Sequence, residues 1–124
     1  MAIQFLNVDL EIESDEPLQP LADYFGDKVI VLSCGERGNY YQAAFEAPSE
    51  GDPDTLIGYF CTLIESLRKK ERKMWDSAFL RDFNLGYESG LEPQCFESKL
   101  RSTTISRIRD IGASITVTIY PPGC

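Results

Sequence analysis

Apolar and polar residues alternate near both ends of this chain. Leu6, Val8, Leu10 and Ile12 are separated by Asn7, Asp9 and Glu11, and Ile115, Val117 and Ile119 by Thr116 and Thr118. Successive side chains of a strand point to opposite faces, so each run has one apolar and one wet side. Strands of this kind need a sheet that is packed on one face and reached by water on the other. Ile3 and Phe5 fall on the opposite phase to the first run, which predicts two-sided cover or a bulge there.

The segments between read as follows. Asp15-Glu16-Pro17 is chemistry for a helix start, with Leu18, Leu21 and Phe25 on one side and Gly26 as a natural stop. Val29 to Leu32 reads as a buried strand, Gly35 to Asn39 as a turn, and Tyr40 to Phe45 as the return strand of a hairpin. Asp52 and Pro53 form a cap and first position for a helix carrying Leu56, Ile57, Phe60, Leu63, Ile64 and Leu67. At 100° per residue these span an arc of about 120°, the stripe of a helix laid on a core. This helix is expected to continue through the basic run Arg68 to Lys73 and to fade near Trp75, with the basic run favouring its C-terminal dipole. Phe83, Leu85 and Tyr87 alternate as a strand, and Phe96, Ser98 and Leu100 suggest another. Ser102 or Thr103 caps a short helix with Ile105, Ile108 and Ile111 on one side.

The order β-α-β-β-α-β-β-α-β predicts an α+β fold. We expect a largely antiparallel sheet of five or six strands, with two or three helices packed mainly on one face. The 124 residues fit a single domain, 1–124, large enough to fold on its own core.

Charge is unevenly spread. Met1 to Ile57 holds 12 acids against two bases, and Gly58 to Cys124 eight acids against 10 bases, so the two halves carry −10 and +2, which sum to the net −8. Such a field attracts cationic partners and, with a pI near 4.5, argues against nucleic acid. There is no histidine, which removes the usual neutral-pH proton carrier and metal ligand. The cysteines Cys34, Cys61, Cys95 and Cys124 form no metal-binding spacing and read as reduced thiols, with Cys61 in the core. No apolar run approaches the ~20 residues of a membrane span, and the N-terminal stretch has no signal-peptide pattern. The expectation is a cytoplasmic protein with no membrane partner and no cofactor.

Asp82 to Gly90, the Ile105/Ile108/Ile111 helix and Gly112-Ala113-Ser114-Ile115-Thr116-Val117-Thr118-Ile119-Tyr120-Pro121 together resemble a widespread bacterial domain family of unknown function. Its members close with a short helix, a Gly-Ala-Ser-like turn and an aliphatic strand ending in Tyr-Pro. The resemblance covers roughly the last third and rests on structural residue types, so it implies a fold but no catalytic residue. In style, though not in motif, small acidic bacterial domains also resemble immunity proteins that neutralise secreted toxins.

Candidate site residues follow from the acids and tyrosines. Asp9, Glu11 and Glu13 project from one strand face about 7 Å apart, and Glu50, Asp52 and Asp54 form an acidic loop. Adjacent Tyr40 and Tyr41 cannot both face inward, and tyrosine is enriched at interfaces. With Glu36 these nine residues form the expected surface for a cationic protein partner. The leading expectation is a non-enzymatic binding domain, an immunity protein against a basic toxin being its most specific form. Two alternatives use other chemistry: a small metal-dependent hydrolase working through the same surface carboxylates, and a homo-oligomeric structural domain pairing through its sheet.

Overall fold

The computed structural model describes residues 2–92 and 94–122. Five strands form one sheet in the order β2-β3-β1-β4-β5. They are β1 (Gln4–Ser14), β2 (Ile30–Arg37), β3 (Tyr40–Glu46), β4 (Leu80–Glu88) and β5 (Ser114–Tyr120). All neighbours are antiparallel except β4 and β5, which run parallel through a helical crossover. The architecture is the expected α+β fold.

The alternation in β1 sorts its side chains as read from Asn7 onward, but Leu6, expected on the apolar side, is exposed and Phe5 packs against the core in its place. Val8, Leu10 and Ile12 are buried, and with Ala43 and Phe45 of β3 and Phe83, Leu85 and Tyr87 of β4 they form the floor of the core. The roof comes from the helices α1 (Gln19–Phe25), α2 (Pro53–Glu65), α3 (Lys69–Ser77) and α4 (Ser102–Asp110). Leu21, Phe25, Ile57, Phe60, Ile64, Trp75 and Ile108 all reach the same cluster. Because one strand parity supplies the floor, the helices lie on one face and the opposite face stays open. A bulge between Phe5 and Asn7 absorbs the phase change at the N-terminal end.

Local chemistry accounts for several boundaries. Asp52 accepts a hydrogen bond from the Thr55 N–H at 2.7 Å, with Pro53 at the first position of α2. Gly26 ends α1 at φ +56°, a conformation open to glycine and costly for most residues. The turn between β2 and β3 shortens to Gly38 and Asn39.

Four expectations are corrected. The central helix does not run on to Trp75. Ser66 turns its hydroxyl onto the Thr62 carbonyl at 2.7 Å, Arg68 is extended, and α3 starts afresh with Arg68 clamping Glu71 through two bonds of 2.8 and 2.9 Å. The restart re-aims the chain so that Trp75 is fully buried and donates its indole N–H to the Ile111 carbonyl at 2.8 Å. The described helices therefore number four, and the basic run opens α3 instead of closing α2. Phe96 to Leu100 is not a strand; Phe96 and Ser98 pack on Tyr87, through its ring and its hydroxyl respectively. Ile30, Val31 and Leu32 are nearly half exposed, because β2 is an edge strand. Neither Ser102 nor Thr103 caps α4; the Asp54 carboxylate accepts the Arg101 N–H at 2.8 Å instead.

Arg81 closes the joint between α3 and the sheet. Its Nη1 donates to the carbonyls of Trp75, Asp76 and Ala78 at 3.1, 2.8 and 3.2 Å, and its Nε to Gly112 at 2.9 Å. One planar cation thus satisfies the last carbonyls of a helix whose first turn carries positive charge. Cys61 is buried in the core, where burial pushes its thiol up to about 11 and leaves it inert. Cys34 and Cys95 are free thiols, and Cys124 lies outside the described residues.

Candidate functional site

The open sheet face is built from the polar phase of three strands. β1 presents Asn7, Asp9, Glu11 and Glu13. The register sets Glu46 of β3 opposite Asp9 and Gln42 opposite Glu13. On the other flank it sets Asn84 of β4 opposite Asp9 and Asp82 opposite Glu11. Directly opposed residues hold their Cβ atoms about 4.5–5.5 Å apart, and successive same-face residues along a strand about 7 Å. Asp9, Glu11, Glu13, Glu46 and Asp82 therefore form one continuous carboxylate patch, centred on the middle strand of the sheet.

A few short contacts hold the patch in shape. Asn7 donates its amide to Asp9 Oδ1 at 3.1 Å and to Glu46 Oε2 at 2.9 Å, so one neutral donor bridges two acids. The bridge depends on Gly86 beneath it, where an added Cβ would lie 2.9 Å from Asn7 Oδ1. On the far side Ser114 donates to Asp82 Oδ1 at 2.7 Å and Thr118 to Asn84 Oδ1 at 2.8 Å. At the N-terminal end of β1, Gln4 donates to Glu88 at 3.1 Å.

Asp9 and Glu11 carry their charge against resistance. Partial burial, then the neighbouring Glu46 and Glu11 carboxylates, raise the Asp9 pKa from 3.8 to about 6. Glu11 is raised by burial first and by Asp82 second, while a hydrogen bond with Asn84 pulls the other way. Among the described residues the ion pairs are Arg68–Glu71, Arg72–Asp76, Arg101–Asp54, Arg107–Glu65 and Arg109–Asp110, and none engages this patch. Of the trailing half's bases, Arg68, Arg72, Arg101, Arg107 and Arg109 pair with acids elsewhere, Lys69, Lys70 and Lys73 lie on α3 across the sheet, Arg81 serves backbone carbonyls, and Lys99 lines a groove with Asp52 and Asp54.

The nine residues expected from the sequence divide into groups. Asp9, Glu11 and Glu13 form the centre of the open face. Tyr40 lies at its margin, its ring edge-on to exposed Phe79 at 5.9 Å. Tyr41 takes the opposite phase and packs against the core, and Glu36 pairs with it in register and is exposed on β2. Asp52 is occupied as the α2 cap, and Asp54 ties α2 to Arg101. Glu50 borders an open groove of about 450 Å³ that reaches the patch through Asn7 and Glu46, with Phe5, Leu6 and Leu56 as apolar walls. The structure thus brings together five carboxylates, two of which, Glu46 and Asp82, were not singled out by sequence. Their signal was present as the polar phase of β3 and β4, but strand alternation does not say which strands will be neighbours.

The carboxylates are spread along strands and do not converge on a point. Among the described residues no three Asp, Glu, Cys or His side chains are grouped to hold a metal ion. No helix among them is long and apolar enough to cross a membrane. No family model, curated protein or solved structure matches the chain.

Proposed function

We propose that this chain is a non-enzymatic protein-binding domain of bacterial type whose open acidic sheet face docks a cationic protein. An immunity protein that neutralises a basic toxin is the specific form of this reading. One observation carries it: the partly exposed carboxylates Asp9, Glu11, Glu13 and Glu46, with buried Asp82 beside them, lie on the middle strands of the helix-free sheet face, and no arginine or lysine of the described chain is paired to them. Ionising Asp9 and Glu11 works against burial and the neighbouring carboxylates, and a guanidinium or ammonium brought to them offsets that cost. The groove beside Glu46 and Glu50 accepts a long basic side chain, its stem on Leu6 and Leu56 and its head among the acids. Charge would set the encounter rate and the margin aromatics Tyr40 and Phe79 would slow departure.

The test is affinity capture from native lysate at low salt with the wild-type chain and with Glu11→Lys/Glu13→Lys, followed by association kinetics with the retained protein. The expected result is a basic partner whose association slows at least tenfold on charge reversal and falls with added salt, at unchanged folding stability. A partner whose association ignores both salt and these charges overturns the reading.

A further inference from the structure

We infer that the free edge of β5 pairs with β5 of a second copy of this chain, in antiparallel register about a two-fold axis at Val117. The sequence Ile115-Thr116-Val117-Thr118-Ile119 reads the same in both directions. Antiparallel pairing centred on Val117 therefore sets Ile115 against the partner's Ile119, Thr116 against the partner's Thr118, and Val117 against itself. Every apolar residue meets an apolar one on the helix side, and every hydroxyl meets a hydroxyl on the open side. An isologous interface needs this self-complementarity.

The backbone is placed for it. The Ser89 N–H donates to the Tyr120 carbonyl at 2.8 Å, so the polar groups of Tyr120 point toward β4. Alternate residues of a strand point their groups to opposite edges. Ile115, Val117 and Ile119 therefore direct N–H and C=O outward, and among the described residues no segment pairs with that edge. Joining two copies completes about six main-chain bonds. The side chains are equally open: Ile115, Val117 and Ile119 are 40%, 56% and 61% exposed although they share the phase of the core, and Ile105 of α4 is 52% exposed. The edge has no proline, no charge and no bulge, the usual devices that keep edges apart.

Neutrality and an unbroken ladder select this edge over the other, because β1 is the middle strand and either edge would hold the two acidic rows equally far apart. The molecule carries −8, so copies repel unless their acidic faces stay apart. Pairing through β5 leaves five strand spacings, about 24 Å, between the two β1 rows, roughly three screening lengths in physiological salt. At the β2 edge the ladder is broken between Val31 and Ser33, and Glu36 and Arg37 interrupt the neutral run. A seven-residue strand is about 23 Å long, and its pairing falls below the ~800 Å² per partner of a standard interface. The dimer is accordingly expected to be a weak, concentration-dependent one.

Sedimentation velocity from about 1 µM to 1 mM tests this. The wild type should pass from monomer to dimer across that range. Val117→Lys and Val117→Glu should each be monomeric, because like charges meet on the axis, and their equimolar mixture should recover the dimer. A wild type that stays monomeric at about 1 mM overturns the proposal, and so does a dimer that Val117→Lys leaves intact or a mixture that fails to recover it. If the Val117 variants do not fold, amide exchange of the wild type decides. Protection at Ile115, Val117 and Ile119 must rise with concentration, and unchanged protection overturns the proposal. The pairing uses no residue of the acidic face, so its failure and that of the docking function are separate results.

Discussion

Asp9 is ionised at pH 8 at a cost that the unfolded chain does not bear. Its pKa of about 6 in the fold against the ordinary 3.8 means that the native state binds the proton more tightly. Stability at Asp9 therefore rises as the pH falls through 6, and the penalty is fully present above that point. Asp9→Asn removes the charge while keeping an oxygen for the Asn7 amide. The variant should be more stable than wild type at pH 8 by about 1 kcal/mol, a figure reduced for the solvent screening of a half-exposed group. The advantage should fade below pH 6 and be absent near pH 3, as measured by urea unfolding across that range. An equal gain at both ends would mean that repulsion is not its source.

At the level of single elements, the restart at α3 makes Arg81 the residue on which the helix-to-sheet joint depends. Its fork reaches four carbonyls that no lysine can engage together. Arg81→Lys should lower stability by about 1–3 kcal/mol, seen as a drop of about 5 °C or more in Tm, with the secondary structure retained. The strands of β1, β4 and β5, the α2 cap at Asp52 and the stop at Gly26 were legible in the sequence because each rests on local periodicity or on a residue with one conformational use. The break at Ser66 was not, because the apolar stripe of α2 passes without interruption into the basic run. What ends the helix is the depth at which Trp75 is buried, a tertiary term that outweighs the helix propensity of Arg68 to Lys73. Likewise Val29 to Leu32 reads as an interior strand, and only the strand order shows Ile30 to Leu32 to be at an edge.

The whole molecule is divided by its sheet. Acids occupy the open face, and the basic first turn of α3 lies on the covered side, so the chain is polarised well beyond its net charge. The acidic front half was legible as composition. Its gathering into a patch was not, since Asp82 comes from the trailing half and Asp54, from the leading half, is drawn away to Arg101. A basic group arriving at Asp9 favours its ionised form, so docking expels a proton wherever Asp9 is protonated beforehand. Affinity for a cationic partner should therefore increase as pH rises through about 6 and level off above 7, as read by calorimetry in buffers of different ionisation heat. A pH-independent affinity would place the partner elsewhere on the surface.

The chain has a single tryptophan, and its indole is sealed beneath the end of α4 with its N–H held by Ile111. Its emission therefore reports on closure of the C-terminal α4–β5 unit against the body. Because the sheet lies between this ring and the carboxylates, the same signal stays quiet when a ligand touches the open side. One fluorophore thus separates loosening of the scaffold from occupation of its surface, with no label added.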